Sequence, residues 1–151
     1  MSGTERIEFE FESIIKEKPP VSKSFVITSI NSTKTNDNTS LLSCSLIEDI
    51  GYYEMLSNYS KSYTGKGEDI IKSIVRDKFS KEFDERLYKP SRQSAFRYNI
   101  PYQTPFNAIK TILSKMTTDN GLPYFFHSTL NSEKFILTDM ETILGREPFN
   151  S

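Results

Sequence analysis

Residues 98–139 have the sequence YNIPYQTPFNAIKTILSKMTTDNGLPYFFHSTLNSEKFILTD, and they decide the fold because they carry an unbroken succession of local signals. Pro101 and Pro105 each push the preceding residue into an extended conformation, which predicts a strand through Pro101. Thr104 then predicts a helix N-cap, with Pro105 at the first helical position, where its missing N–H costs nothing. We therefore expect a strand followed directly by a helix over 105–117.

The helix predicted over 105–117 is amphipathic, because its apolar side chains recur at three- and four-residue spacing. These side chains are Phe106, Ile109, Ile112, Leu113 and Met116. Asn120-Gly121 supplies a left-handed stop after the helix. Two strands around a polar turn then predict an aromatic β-hairpin over 122–138. This segment has no pattern of a catalytic motif, and we interpret it as a packing unit.

The N-terminal part of the chain predicts an antiparallel β-meander. Residues 5–12 alternate between apolar and charged side chains, which is typical of a strand with one buried and one solvated face. Strands over 24–30 and 41–47 follow, separated by turn residues at 35–38. The apolar faces carry Ile7, Phe9 and Phe11 in the first strand and Leu42, Cys44 and Leu46 in the third.

Three strands are too few to close a barrel, and they leave sheet edges that natural proteins usually cover. We therefore expect the partner strands of this meander to lie in another copy, in another protein, or in sequence beyond these 151 residues.

The remaining segments are less regular. Residues 52–63 fit neither the helical nor the strand period, whereas 68–79 predict an amphipathic helix with acidic residues in its first turn. Residues 80–94 predict an exposed polar loop with a helical turn over 82–87, and 140–149 a loop-like tail. The predicted fold class is α+β, an antiparallel β-meander followed by a small α/β domain with two helices and an aromatic hairpin.

Composition restricts the function classes. The net charge is −1, from 19 basic and 20 acidic residues, so no strong field favours nucleic acid or an anionic membrane. A single cysteine excludes an internal disulfide and a cysteine-based metal cluster. The 11 Phe and 8 Tyr residues make a ring-rich core feasible although only 36% of the residues are hydrophobic.

Several residues are of types that could bind a ligand or take part in catalysis. For each of them a structural role is the better-supported interpretation. Gly65-Lys66-Gly67 before a helix could attract a phosphate, but the spacing and hydroxyl of a P-loop are missing. His127, the single histidine, would need a partner for catalysis, and Asp139 is the one nearby in sequence. Cys44 alternates with leucines and predicts a small core residue.

Two further groups are interpreted in the same way. Glu82, Asp84 and Glu85 could form an acid pair, but neighbouring basic residues indicate a surface charge cluster. Five aromatic residues could form a stacking platform, but no basic groove accompanies them, which favours core packing. They are Tyr98, Tyr102, Tyr124, Phe125 and Phe126. We therefore predict no catalytic, cofactor-binding or metal-binding residues and no enzymatic activity.

The order of four motifs resembles a known family. After a meander strand come YTGKGEDII (63–71), YNIPYQTPF (98–106), GLPYFF (121–126) and FILTDM (135–140). Together they resemble the baseplate hub protein of contractile-tailed bacteriophages and, more distantly, the tail hub or late-control proteins. The resemblance extends over nearly the whole chain and is clearest from residue 40 onward.

This resemblance implies a structural virion protein. Residues 4–49 would be part of a tail-tube-like β-barrel, and 50–149 an inserted α/β domain; family members have further strands that complete the barrel. Three subunits of the full-length protein would form a ring that adapts the tail tube to the central spike, after assembly in the host cytoplasm. The partners would be the tube and the spike or lysozyme proteins, and lytic activity would belong to the spike. In this interpretation we expect contacts at the exposed meander edge and over 80–97.

Two alternatives remain open. The chain could be a non-enzymatic binding module that uses the aromatic hairpin 122–138 as a ligand platform. It could also be a small hydrolase centred on His127.

Overall fold

The computed structural model describes residues 5–12, 20–36, 39–84, 88–129 and 134–145. Within them the chain is mixed α+β, with four helices and mostly antiparallel strands in open sheets, which confirms the predicted class at this level. The chain divides into two compact units, Met1–Leu56 and Ser57–Ser151.

The first unit contains the predicted meander. Its three strands pair antiparallel in the order β1-β2-β3. Their bounds are Arg6–Phe11 for β1, Val21–Asn36 for β2 and Thr39–Glu48 for β3. Strand β2 is longer than predicted, because its pairing with β3 continues to Asn36 opposite Thr39. The predicted turn is therefore shorter, and its residues 37–38 lie outside the described part of the chain.

Helix α1, Asp49–Leu56, follows β3 directly and lies where the sequence fits neither period. It contacts β2 and β3, and a Cβ built on Gly51 would lie 3.2 Å from the Ile47 side chain. The unit boundary therefore falls after Leu56, seven residues later than the predicted boundary after residue 49. Whether the two parts are a barrel fragment and an inserted domain stays a prediction.

The described part of the second unit holds two small sheets. In the first, β4 (Tyr59–Gly65) pairs antiparallel with β6 (Phe96–Gln103), and β6 contains the strand predicted around Pro101. The second sheet has the order β5-β8-β7. Its strands are β5 (Phe83–Asp84), β7 (Tyr124–Ser128) and β8 (Phe135–Asp139). Strands β7 and β8 form the predicted antiparallel hairpin, which is thereby confirmed.

Three helices complete what the structure describes of the second unit: α2 (Gly67–Phe79), α3 (Pro105–Leu113) and α4 (Met140–Leu144). The predicted stripe of α2 is fully buried at Ile70, Ile71, Ile74 and Val75 and packs against α3. Helix α3 begins at Pro105 as predicted but ends at Leu113. The chain then tightens, with Lys115 donating to the Ile112 carbonyl, and Met116 is still buried.

Three predictions about the connecting segments are wrong. The turn predicted over 82–87 contains the two-residue strand β5, which pairs parallel with β8; residues 85–87 lie outside the described part. Ser91, predicted in an exposed loop, is buried. The tail begins with helix α4, whose N-cap Asp139 accepts a hydrogen bond from the Thr142 N–H. Residues 146–149 of the predicted tail lie outside the described part.

Candidate interaction surface

The pairing register of the first unit places its apolar residues on one face of the sheet. Residues paired across antiparallel strands share a face, and successive residues of a strand alternate. The face that contains Phe9 continues through Phe25, with their ring centroids 5.7 Å apart, and through Ile27, which pairs with Leu46. We call it the apolar sheet face. Its members are Ile7, Phe9, Phe11, Val21, Phe25, Ile27, Ile30, Leu42, Cys44 and Leu46.

None of these ten side chains is buried. Seven are partly exposed, and Phe9, Phe11 and Leu42 are exposed at 39%, 44% and 62%. A sheet that is apolar on one face must pack that face against another layer to be stable in water. The alternation predicted for 5–12 is therefore present, but the expected burial is not, because Ile7 is partly exposed and Phe9 and Phe11 are exposed.

The opposite face of the sheet is polar and is the side on which helix α1 lies. Arg6 forms an ion pair of 3.3 Å with Asp49 and donates a hydrogen bond to the Tyr53 hydroxyl. Val26, which pairs with Ile47 on this face, is buried. The described part of this unit thus places a helix over one end of its polar face, near Arg6 and Ile47, and no helix over its apolar face.

Two opposite charges of the apolar sheet face neutralise each other. Lys23 and Glu48 flank Phe25 on this face, and their side chains form an ion pair of 2.9 Å. The Lys23 side chain is only 16% exposed. An opposing apolar surface would therefore meet no net charge from this pair.

The second unit holds a buried polar network that anchors the segment 88–93. Glu68 in the first turn of α2 accepts hydrogen bonds from the Ser91 N–H at 3.2 Å and the Ser91 hydroxyl at 2.5 Å. Asp139 accepts the Lys89 N–H at 2.8 Å, and the Tyr124 hydroxyl donates to the Lys89 carbonyl at 2.6 Å. All these groups bond within the network, so it fixes the segment in place.

Burial and hydrogen bonding shift the pKa values of Tyr124 and Asp139 in this network. Burial raises the pKa of Tyr124, and the carboxylates of Glu68 and Asp139 add to the effect. Burial opposes ionisation of Asp139, but hydrogen bonds from Thr142 and Lys89 outweigh it and hold its pKa below the usual range. The network therefore favours a neutral tyrosine beside a charged aspartate.

The structure separates His127 from Asp139. His127 pairs with Ile136, whereas Asp139 pairs with Tyr124 at the other end of the hairpin. Three residues along a strand span about 10 Å, so the two side chains cannot act as a dyad. His127 is exposed, and Asp139 is fully buried as the cap of α4.

The other sequence candidates have structural explanations. At Gly67 a Cβ would lie 2.6 Å from Met116 Cγ, so this glycine permits close packing, and Lys66 beside it is exposed. Cys44 lies on the apolar sheet face and is partly exposed, where a core residue was predicted. Glu82 forms an ion pair with Lys134 at 2.5 Å, as expected of a surface charge cluster.

The aromatic hairpin does not present one ring face. Tyr124 is buried, and the Phe126 ring stacks on that of Phe135 at 4.8 Å, in a cluster with Phe83 and Phe106. Phe125 points to the other side of the hairpin and is exposed. Tyr98 is partly exposed and Tyr102 is exposed, both on β6 in a different sheet. The five aromatic residues therefore form no shared platform.

Sequence reasoning missed the polar network because its partners are far apart in the chain. Glu68 and Ser91 are 23 residues apart, and Lys89 and Asp139 are 50 apart. One signal was available at Asp139, since Thr142 follows it by three residues, the spacing at which an N-cap side chain meets a helix N–H.

Comparisons of the chain with protein-family models, with curated proteins and with solved structures find no match. No helix among the described residues has the length and apolar character needed to cross a membrane. The described residues also contain no cluster of three or more His, Cys, Asp or Glu side chains arranged to hold a metal ion.

Proposed function

We propose that this protein is a structural component of a phage tail baseplate hub, which adapts the tail tube to the central spike through ring-forming subunit contacts. The observation that carries the proposal is the uncovered apolar sheet face of the first unit. Exposed apolar patches of this kind mark interaction sites. The resemblance in motif order supplies the biological setting, a trimeric ring in the virion.

The edges of the meander also support a ring. Strands β1 and β3 are the two outer strands of an open sheet, and they differ in sequence and length. Two unlike surfaces on one chain suit head-to-tail contacts, and such contacts close into a ring when the rotation between copies permits it.

The rival functions are less well supported. A ligand platform on hairpin 122–138 would need accessible rings, but Tyr124 and Phe126 belong to the packed interior of the second unit. A hydrolase centred on His127 would need a neighbouring nucleophile or carboxylate, and Asp139 lies at the far end of the hairpin.

Chemical crosslinking of the purified protein tests the proposal. Lysine crosslinking should yield covalent dimers and trimers. No larger product should form, because every ring-forming contact surface is occupied in a closed ring of three copies. A ladder that continues to higher species, or that stops at the single chain at every concentration, would refute the trimeric ring.

A further inference from the structure

We propose that Asn120 is a deamidation site, where asparagine converts slowly to aspartate or isoaspartate, and that a hydrogen bond to Glu141 restrains this reaction in the folded protein. The inference concerns the second unit and is independent of the ring-forming role proposed above. Asn120 and Gly121 form the single Asn-Gly pair in the sequence. Asparagine is a thermolabile residue, and a following glycine has no side chain to hinder attack by its own nitrogen.

The reaction needs only these two residues and water. The backbone nitrogen of Gly121 loses its proton to solvent and attacks Cγ of Asn120, which forms a C–N bond. The Cγ–Nδ2 bond then breaks, and the amide nitrogen takes up a proton and leaves as ammonia. Water opens the resulting succinimide at either carbonyl and yields aspartate or isoaspartate. The net change is one water consumed and one ammonia released, with no oxidation or reduction.

Neither burial nor crowding protects this pair. Asn120 and Gly121 are both exposed, so water has access to them. Among the described residues, apart from the chain neighbours, no heavy atom lies within 4 Å of the position that a Cβ on Gly121 would occupy. The described contacts that can restrain the reaction are therefore hydrogen bonds to the reacting groups.

Both reacting groups are held by such bonds. The Asn120 side chain donates through Nδ2 to Oε1 of Glu141, in the first turn of α4. The Gly121 N–H donates to the Thr118 carbonyl at 2.9 Å. Attack requires that the glycine nitrogen give up its proton and that Cγ approach it. The first bond holds the side chain in place and the second holds the proton, so both oppose the reaction.

The two acceptors are themselves fixed. Glu141 also accepts a hydrogen bond from Lys89 Nζ at 2.8 Å, and its side chain is only 17% exposed. The Lys89 ammonium and, after it, the Asn120 amide hold the pKa of Glu141 below its usual range, so this acceptor is charged at neutral pH. Thr118 is buried, and its N–H donates to the Leu122 carbonyl at 2.9 Å. The reacting pair thus lies between groups that are held in place.

Deamidation would remove the contact between this turn and α4. The product has a carboxylate where Asn120 has its donor, and this carboxylate would face Glu141 and follow the exposed Asp119. Like charges repel, so the bond to Glu141 could not form again. The reaction is therefore a one-way change in how the turn is attached to the helix.

Mass spectrometry of peptides from the aged protein measures the reaction. The intact chain is incubated at mildly alkaline pH, either folded or in guanidinium chloride, and the deamidated fraction at position 120 is followed with time. The folded parent should react at least about tenfold more slowly than the unfolded chain, because unfolding removes both hydrogen bonds. Glu141→Ala should raise the rate of the folded protein by about three- to tenfold, the range that one hydrogen bond supplies. It should leave the rate in guanidinium chloride unchanged.

Two further variants sharpen the comparison. Glu82→Ala is the matched control, because Glu82 is also paired with a lysine, Lys134 at 2.5 Å, but lies beside Phe135 at the other end of β8. It should leave the rate at position 120 unchanged. Glu141→Gln keeps an acceptor oxygen without the charge, so its rate should fall between those of the parent and Glu141→Ala. It also serves as the test if far-UV circular dichroism shows that the alanine variant does not fold.

Each part of the inference has an outcome that overturns it. Absence of deamidation at position 120 in the unfolded chain would exclude the site itself. Equal rates for the folded and the unfolded parent would exclude restraint by the fold. Folded Glu141→Ala and Glu141→Gln that both react at the rate of the parent would exclude the role of Glu141.

Discussion

At the scale of single residues, the polar network of the second unit depends on a few buried atoms. Asp139 has three roles, because it ends β8, caps α4 through the Thr142 N–H at 2.8 Å, and accepts the Lys89 N–H at 2.8 Å. Glu68 similarly joins the start of α2 to Ser91. Loss of one such partner leaves other buried groups unsatisfied, which costs more than the bond itself contributes.

We expect Asp139→Asn to lower the free energy of unfolding by about 2 kcal/mol, because the two carboxylate oxygens accept bonds from the Lys89 N–H, the Thr142 N–H and the Thr142 hydroxyl, and an amide has only one oxygen that can accept. Urea denaturation followed by circular dichroism measures the loss. Asp119→Asn is the matched control, because Asp119 is exposed and should tolerate the change. Equal loss in both variants would contradict the role assigned to Asp139.

The same variant should change how stability depends on pH. The pKa of Asp139 in the folded protein lies below its ordinary value of 3.8, so the unfolded state binds more protons in that window. Stability from this group is therefore complete above the ordinary pKa and is lost as the pH falls toward the folded pKa. Asp139→Asn should flatten the acid limb of the unfolding free energy measured from neutral to acid pH. A limb of unchanged slope would contradict this assignment.

At Gly67, close packing leaves no room for a side chain. A Cβ at this position would lie 2.6 Å from both Cγ and Sδ of the buried Met116. We expect Gly67→Ala to lower the free energy of unfolding by about 1–3 kcal/mol, although alanine is the better helix former. In the background of Met116→Ala the same change should cost much less, and an equal cost in both backgrounds would exclude the clash as its cause.

At the scale of helices and strands, the sequence predicts those elements whose bounds are set by residues within or next to them. Pro105 starts α3, the isoleucine spacing predicts α2, and Gly121, at a φ of 78°, marks the turn before the hairpin. These signals lie within a few residues of the structure that they specify, so sequence alone carries them.

The elements that were missed depend on distant partners or on ambiguous patterns. Strand β5 has two residues and exists because Phe83 and Asp84 pair with β8, some 52 residues later. Helix α1 has apolar residues on all sides, and Tyr53, Met55 and Leu56 remain exposed, so no period was visible. The sequence predicts which residues of each strand lie on the apolar sheet face. It does not predict that these side chains remain partly or fully exposed.

The two neighbouring phenylalanines of β7 test the assignment of the hairpin to the core. Phe126→Ala should lower the free energy of unfolding by about 2–3 kcal/mol, because its ring packs against three others. Phe125→Ala, on the exposed side, should change it by less than about 1 kcal/mol. If Phe125→Ala proved the more damaging in urea denaturation, the faces of the hairpin would be assigned wrongly.

At the scale of the whole molecule, the two units differ in how far they are self-sufficient. The second, as far as its residues are described, has a core of aliphatic and aromatic side chains on two small sheets and three helices. Among the described residues of the first unit, Val26 is the buried apolar side chain, and the apolar sheet face is uncovered. This contrast is the physical basis for the structural, assembling role that we propose, with the resemblance to baseplate hub proteins as its setting.

The solution mass of the protein tests that role most directly. Light scattering during size exclusion, across a roughly hundredfold range of concentration, should show a species of three times the chain mass of 17.4 kDa that dissociates on dilution. A single chain of 17.4 kDa at every concentration would contradict the account, because the apolar sheet face would then stay uncovered by any other copy.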